Sequence, residues 1–393
     1  MKPLMVCLLF LIATATGGGV CQAGPKNADP HDKSHAQYNA RLGPALLDAL
    51  RRGNAADFKA LLDKGADPYT RDPTSSYRES ALITASRGAP DIVKLLLNAG
   101  VDPNLPDEKG SDTPLMMAAM NGNLSIAQML VAAGANVNAQ DGNGYTALLN
   151  AAHFGNTQVA KFLVSKGANT NQAEYRLGST PLMEAAFGGF SEIVSVLVAN
   201  GANVKYKDPA GRTPLMEAGS TTSPETAKET VEKIAIIKLL LKQGVDVNAH
   251  DLGGGTAIMD TPYSTVAYQS EANAPGSDAP PANLEILKLL LASGADMNAR
   301  DSQGQSLLLQ AADDGNTDIV KLLLAKGVDV NQQDNDGKTA LMLATEHSFE
   351  NTVKALLKSR ANVNLKDHDG ATALSEATDP DIIRLLHKAS ANA

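Results

Sequence analysis

The chain repeats itself. The segment "TPLMMAA" at Thr113 returns as "TALLNAA" at Thr146, "TPLMEAA" at Thr180, "TPLMEAG" at Thr213, "TAIMDTP" at Thr256, "SLLLQAA" at Ser306, "TALMLAT" at Thr339 and "TALSEAT" at Thr372. The spacings are 33, 34, 33, 43, 50, 33 and 33 residues. "SALITAS" at Ser80 precedes the first by 33, and a degenerate "ALLDALRRG" at Ala45 begins the series, so ten units are expected. Each unit continues into an apolar run such as "DIVKLLLAKGVDVN", and most end with an Asp and a Gly five and two residues before the next Thr. A period of this length means one supersecondary unit per repeat, unable to bury its own apolar face, so that a core exists only where units stack.

Every part of the unit has a physical role. Thr is a good N-cap, and Pro suits the next position because the N–H it lacks would have had no partner there. Leu and paired Ala bury one face of a short helix. A second helix, "IVKLLL", is apolar at i, i+1, i+4 and i+5. Glycines such as Gly122 and Gly134 close the two helices, and the Asn- and Asp-rich tail that follows reads as a turn whose side chains bond their own backbone. Two motifs dissolve into this scheme. "QQDNDGKTAL" (Gln332–Leu341) resembles the end of a phosphate loop, but Gln332 stands where that loop needs glycine. It also resembles the start of a calcium loop, but Leu343 stands where the bidentate Glu belongs. The period assigns Gly337 to a turn, Thr339 to a cap and Lys338 to a variable position.

The recurring "DxxGxTPL…AA…G…IVKLLL…GADVN" resembles the ankyrin repeat, over about residues 44–390. The resemblance implies an all-α solenoid: stacked, curved helix–turn–helix units with hairpin-like turns along one edge, binding a partner protein through one face. One departure is consistent. Where the family has His after "TPL", this chain has Met116, Leu149, Met183, Met216, Met259, Leu309, Met342 or Ser375. Apolar packing is expected to replace the polar bridge that His would make.

Composition narrows the function. Net charge is −9, which speaks against nucleic acid, whose binding rests on clustered Lys and Arg. The apolar run Leu4–Ala15 behind Lys2 is too short to span a bilayer and reads as the core of a secretory signal cleaved after Ala23. Residues 1–23 are thus expected to be signal and 24–43 a polar leader. Both cysteines, Cys7 and Cys21, lie in the signal, so no disulfide or thiolate site is expected in the mature chain. Lipidation at Cys21 is the alternative, disfavoured by Val20 in place of a small residue. The seven His fall at unrelated register positions, His31 and His35 in the polar leader, and no hydrolase, metalloprotease or dinucleotide motif occurs. No enzyme activity and no cofactor are expected.

Two adjacent units are longer, near 219–232 and 263–281. Thr, Ala, Lys and Glu suit a backward extension of the second helix in the first, whereas the second is a Pro/Ser/Ala-rich loop. Long loops cost little, so drift and a binding feature both remain open. By the family's register, partner-facing positions are Met120, Asn121, Tyr145, His153, Phe154, Tyr175, Phe187, Tyr206 and Arg212. Tyr, Phe and Arg are common interface anchors, although single exposed aromatics need no function. Later units offer Asp313, Asp314, Glu346 and His347. The expected protein is a monomeric, non-enzymatic scaffold of the periplasm or cell exterior. An exported effector or toxin-neutralising factor is the alternative, and an enzyme with its site in the insertions the rival of another class. N-terminal sequencing of the exported protein should begin near Gly24; recovery of intact Met1 would overturn the signal.

Overall fold

The computed structural model describes residues 38–110, 112–220, 227–260 and 282–391. The expected signal, the leader as far as residue 37, residues 221–226 and the insertion at 263–281 lie outside these. The described residues form an all-α stack of helix pairs, as the repeat requires. First helices are α1 (Gly43–Arg51), α3 (Ala81–Ala85), α5 (Pro114–Met120), α7 (Ala147–His153), α9 (Pro181–Phe187) and α11 (Pro214–Gly219). Second helices are α2 (Ala55–Asp63), α4 (Pro90–Asn98), α6 (Leu124–Ala132), α8 (Thr157–Ser165), α10 (Ser191–Ala199), α12 (Ala227–Lys242) and α13 (Ala282–Ala292). The pairs α14 (Leu307–Asp313) with α15 (Thr317–Ala325), α16 (Ala340–Glu346) with α17 (Glu350–Lys358), and α18 (Ala373–Glu376) with α19 (Pro380–Ser390) complete the series. First helices pack on first helices and second on second, making two layers with one continuous core of Ala, Leu, Ile, Val and Met between them.

Eight of the nine repeat starts are capped as the sequence predicts; Thr256 is the exception, since the residues after it, 257–260, form a turn and its hydroxyl has no hydrogen-bond partner among the described residues. Ser80, Thr113, Thr146, Thr180, Thr213, Ser306, Thr339 and Thr372 are extended, and each hydroxyl accepts from the N–H three residues on, at 3.1–3.4 Å. The residues standing where the family has His are buried apolar side chains, Met116, Leu149, Met183, Met216, Met259, Leu309 and Met342. Ser375 differs: its Oγ accepts from the Thr372 N–H at 2.8 Å, closing a capping box. In the second helices the fully buried stripe is i, i+1, i+4, as Ile319, Val320 and Leu323, while Leu322 and Leu324 are half-buried flanks. Thr352 occupies the first of these positions in α17 and stays satisfied by bonding the Gly315 carbonyl at 3.3 Å and the Thr317 hydroxyl at 2.8 Å.

The turns are built by carboxylates. Asp334 Oδ1 accepts from the N–H groups of Asp336 (3.0 Å) and Lys338 (2.8 Å), while Gly337 sits at φ +80°. A Cβ there would come within 3.0 Å of the Asp367 backbone in the next turn, so glycine is required twice over. Successive turn tips are joined by backbone bonds, such as Asn335 N–H to Gln303 O (3.0 Å) and His368 N–H to Asp336 O (2.9 Å). Lys338 is more than a variable position, because its Nζ meets Glu346 Oε2 at 2.6 Å. The single 34-residue spacing is absorbed where Glu174 replaces Asp: its longer side chain accepts from Arg176, Leu177 and Ser179 at 2.6–3.1 Å.

The Asn residues of the tail do more than turn their own backbone. The first Asn or Asp caps locally, as in Asn136 Oδ1 accepting from Asn138 N–H at 3.0 Å. The second reaches the next unit. Asn138 Nδ2 donates to the Gly167 carbonyl at 3.2 Å and its Oδ1 accepts from Asn169 N–H at 2.7 Å. Asn104, Asn171 and Asn248 repeat this pattern onto Gly134 and Asn136, Gly201 and Asn203, and Gly294 and Asp296. Lys205 holds the corresponding place beside the first insertion and carries no such amide. There Lys207 Nζ crosses to the His250 carbonyl at 2.8 Å. The extended helix expected from the insertion is α12, of 16 residues, and it brings buried Lys233 to the Ser220 carbonyl at the end of α11.

Because each unit leans on its neighbours, a single core truncation should be felt strongly. Leu323→Ala, at a site with 0% exposure, should cost about 2–5 kcal/mol in denaturant unfolding. Lys338→Ala, which breaks a solvent-accessible ion pair with Glu346 and a longer contact with Glu376 at 3.9 Å, should cost under about 1 kcal/mol.

Candidate functional site

The site candidates lie on the first-helix layer and its turns. The residue before each capping Thr or Ser, the fourth residue after it, and the seventh recur there. The fourth positions run Thr84, Met117, Asn150, Glu184, Glu217, Asp260, Gln310, Leu343 and Glu376. Three consecutive units therefore place carboxylates in one row. The sequence reading missed Glu184, Glu217 and Asp260, although aligning the units on the cap would have set them in a column.

Of the nine positions expected to face a partner, the structure brings His153 and Arg212 into contact with that row. His153 Nδ1 lies 2.7 Å from Glu184 Oε2, and this hydrogen bond raises the imidazole pKa against the opposing effect of burial. Phe154 packs edge-on to the His153 ring, centroids 4.7 Å apart, and remains 42% exposed. Phe187, at the end of α9, is 38% exposed. Tyr145 is half-buried; burial, then the charges of Glu184, Glu174 and Asp141, push its phenol up to about 12. Tyr175 is 64% exposed, yet its ring covers Gly144, where a Cβ would approach it to 2.8 Å, and its hydroxyl reaches Gln140 Oε1 at 3.0 Å. Met120 and Tyr206 are half-buried, and Asn121 turns its amide onto the Met117 carbonyl at 2.9 Å.

Arg212 is engaged within the chain. Its Nε meets Glu217 Oε1 at 2.6 Å, and its terminal nitrogens meet the Asp260 carboxylate of the next unit at 3.5 Å. Burial alone would lower the guanidinium pKa, and the two carboxylates more than offset it. Asp260 is pushed up to about 7 by burial, with Arg212 opposing and Glu217 adding to the rise. Glu217 is raised by burial as well. Beside this triad opens a cleft of about 320 Å³, lined by Arg212, Asp251, Met259, Asp260, Asp301 and Gln310 among others. Asp112 and Asp314 are also pushed up by burial, each to about 6, with Asp107 adding to the first and Asp313 to the second. Among the described residues no three His, Cys, Asp or Glu side chains are grouped so as to hold a metal ion, and no helix is long and apolar enough to cross a membrane.

The raised carboxyls set a pH dependence. A carboxyl whose pKa rises on folding binds its proton more tightly in the folded chain. Its stabilising contribution is complete below the unfolded range near ~4 and is lost as pH climbs through the folded value. Asp112 and Asp314 at about 6 and Asp260 at about 7 therefore favour pH 5 over pH 8. Asp72, held down to about 2 chiefly by its Thr74 hydrogen bond and then by Arg51, acts oppositely, but only below the unfolded range. Melting temperature should be higher at pH 5 than at pH 8, and Asp260→Asn should flatten the difference. A melting temperature that rises across this window would contradict the assignment.

A family model described as "Ankyrin repeats (3 copies)" matches residues 81–174, 169–251, 279–367 and 308–393, together well over half of the chain. "Ankyrin repeat and SOCS box protein 6" of Mus musculus is 37% identical over 119 residues, 30% of this chain and 28% of that protein. A "Putative ankyrin repeat protein" of Rickettsia bellii is 32% identical over 105 residues, 26% of this chain and 38% of its own length. "Glycerophosphocholine phosphodiesterase gde1" of Schizosaccharomyces pombe is 40% identical over 89 residues, 22% of this chain and 8% of that protein. The matched stretch thus spans less than two fifths of each of these three relatives. The register of caps, turns and helix pairs, with the family match along it, places this chain in the ankyrin repeat family.

Proposed function

We propose that the protein is a non-enzymatic scaffold that holds a partner protein on the first-helix face of its middle units, and that it is exported to the periplasm or cell exterior. Membership of a family of ankyrin repeats supports the general reading of protein–protein interaction. The observation that carries the choice of site is the run of exposed aromatics in neighbouring units, Phe154, Tyr175 and Phe187, with Leu177 and Leu252 also exposed on the turns. Large aromatics left in solvent beside rigid helix ends are suited to fill a partner's pockets, since anchors of this type dominate binding energy when they sit at an interface centre. Export rests on Lys2, the apolar run Leu4–Ala15 and the small residues to Ala23.

Phe154→Ala and Phe187→Ala should each weaken partner capture about thirtyfold or more, the equivalent of about 2 kcal/mol per anchor. Melting should hardly change, because truncating exposed side chains costs little. Capture from envelope fractions and from culture medium, compared side by side, reads out both partner and location. If deletion of residues 263–280 abolishes capture while the two Phe variants bind normally, the aromatic face is the wrong site.

A further inference from the structure

Building on the scaffold reading, we infer that the first-helix face takes a basic, extended segment of its partner, one of whose Lys or Arg side chains enters the cleft between Arg212, Asp260 and Gln310. The middle of the face is mainly acidic. Glu184, Glu217 and Asp260 form its central row, and the basic groups bonded to them are His153, which is a cation only when protonated, and Arg212. Arg212 serves two carboxylates at once, 2.6 Å from Glu217 and 3.5 Å from Asp260, so the triad keeps a deficit of positive charge when all three groups are ionised. The longer separation falls on Asp260, the carboxylate of the triad that lines the cleft.

The cleft adds shape to the charge. At about 320 Å³ it lies at the small end of ligand pockets, room for one side chain rather than a cofactor. Its walls carry Asp251, Asp260 and Asp301 against the single guanidinium of Arg212, with Met259 offering an apolar wall for an aliphatic stem. Gln310, at the same register position as the acidic row, contributes a buried carboxamide oxygen that has no hydrogen-bond partner among the described residues. An acceptor buried without a donor, beside a carboxylate whose one cation is shared with Glu217 and stands 3.5 Å away, is complementary to an ammonium or guanidinium group, which carries donors and no acceptor. Asp251 and Asp301 each commit Oδ1 to their own turn N–H groups, which argues against a metal shell here. Burial raises Asp260, with Arg212 opposing and Glu217 and Asp251 adding to the rise.

The test is fluorescence anisotropy on the full chain with labelled oligo-arginine, oligo-lysine and oligo-glutamate peptides and with argininamide, at low and at physiological salt. The basic peptides should bind and oligo-glutamate should not. Asp260→Asn and Gln310→Leu should each weaken basic-peptide binding about tenfold or more, with melting curves confirming that both variants fold. Asp318→Asn, on exposed α15 away from the cleft, should bind like the parent. Equal losses in Asp260→Asn and Asp318→Asn, or binding of oligo-glutamate, would overturn the proposal. Argininamide binding as tightly as the peptides would make the cleft a small-cation site and overturn the peptide segment. A natural partner that is lost with Phe154→Ala but neither competed by basic peptide nor weakened by Asp260→Asn would leave the scaffold standing and remove the cleft from it.

Discussion

No unit of this chain can hide Ile319, Val320 and Leu323, or their equivalents, by itself. Their burial is completed only when the next pair of helices lies against them, and the whole architecture follows from that debt to a neighbour. The first helices are short and rich in Ala because backbones must approach closely along one layer. The second helices keep a narrow fully buried stripe with half-buried flanks because they meet helices before and behind. Stability in such an array is a sum of near-neighbour interfaces. The absence of Trp and the rarity of other aromatics fit a core assembled from many small, identical contacts rather than from one large centre.

Apolar stacking sets distance but not register, and the polar groups supply the latter. Asn104, Asn138, Asn171 and Asn248 each clamp two backbone groups of the following unit, and the turn tips are joined by further backbone bonds. At Lys205 the clamp is missing, and cross-unit ties appear elsewhere: Lys207 on one side, the Arg212–Asp260 contact on the first-helix face. Both residues of this second tie line the cleft. A change at Asp260 therefore touches both the joint between two units and the surface they share.

How much of this could be read from the sequence depended on range. The caps, the Gly337 turn and the buried Met and Leu in place of the family's His are set by residues within a few positions, and all were legible. The backward extension of α12 followed from its helix-forming composition. Arg212 illustrates the limit. Alone it reads as an exposed anchor, but its partner Asp260 lies 48 residues away, beyond any local pattern. The Asn residues were read as local turn formers for the same reason, their second bonds falling about thirty residues on. The row of Glu184, Glu217 and Asp260 is visible in an alignment of the units, yet it becomes a surface only once the units stand side by side. The 34-residue interval needed Glu174 to be recognised as an Asp with a longer reach.

The Asn248 clamp carries a consequence beyond stability. It joins Gly294 and Asp296, 46 and 48 residues onward, with the same two bonds that its counterparts make across about thirty. The distance between units is thus measured by the clamp and not by the length of chain connecting them. A gene encoding such a protein can gain or lose sequence between the two helices of a unit without shifting the units that follow. The same tolerance makes the 261–281 segment a natural place to splice in a reporter, a protease site or a second binding loop.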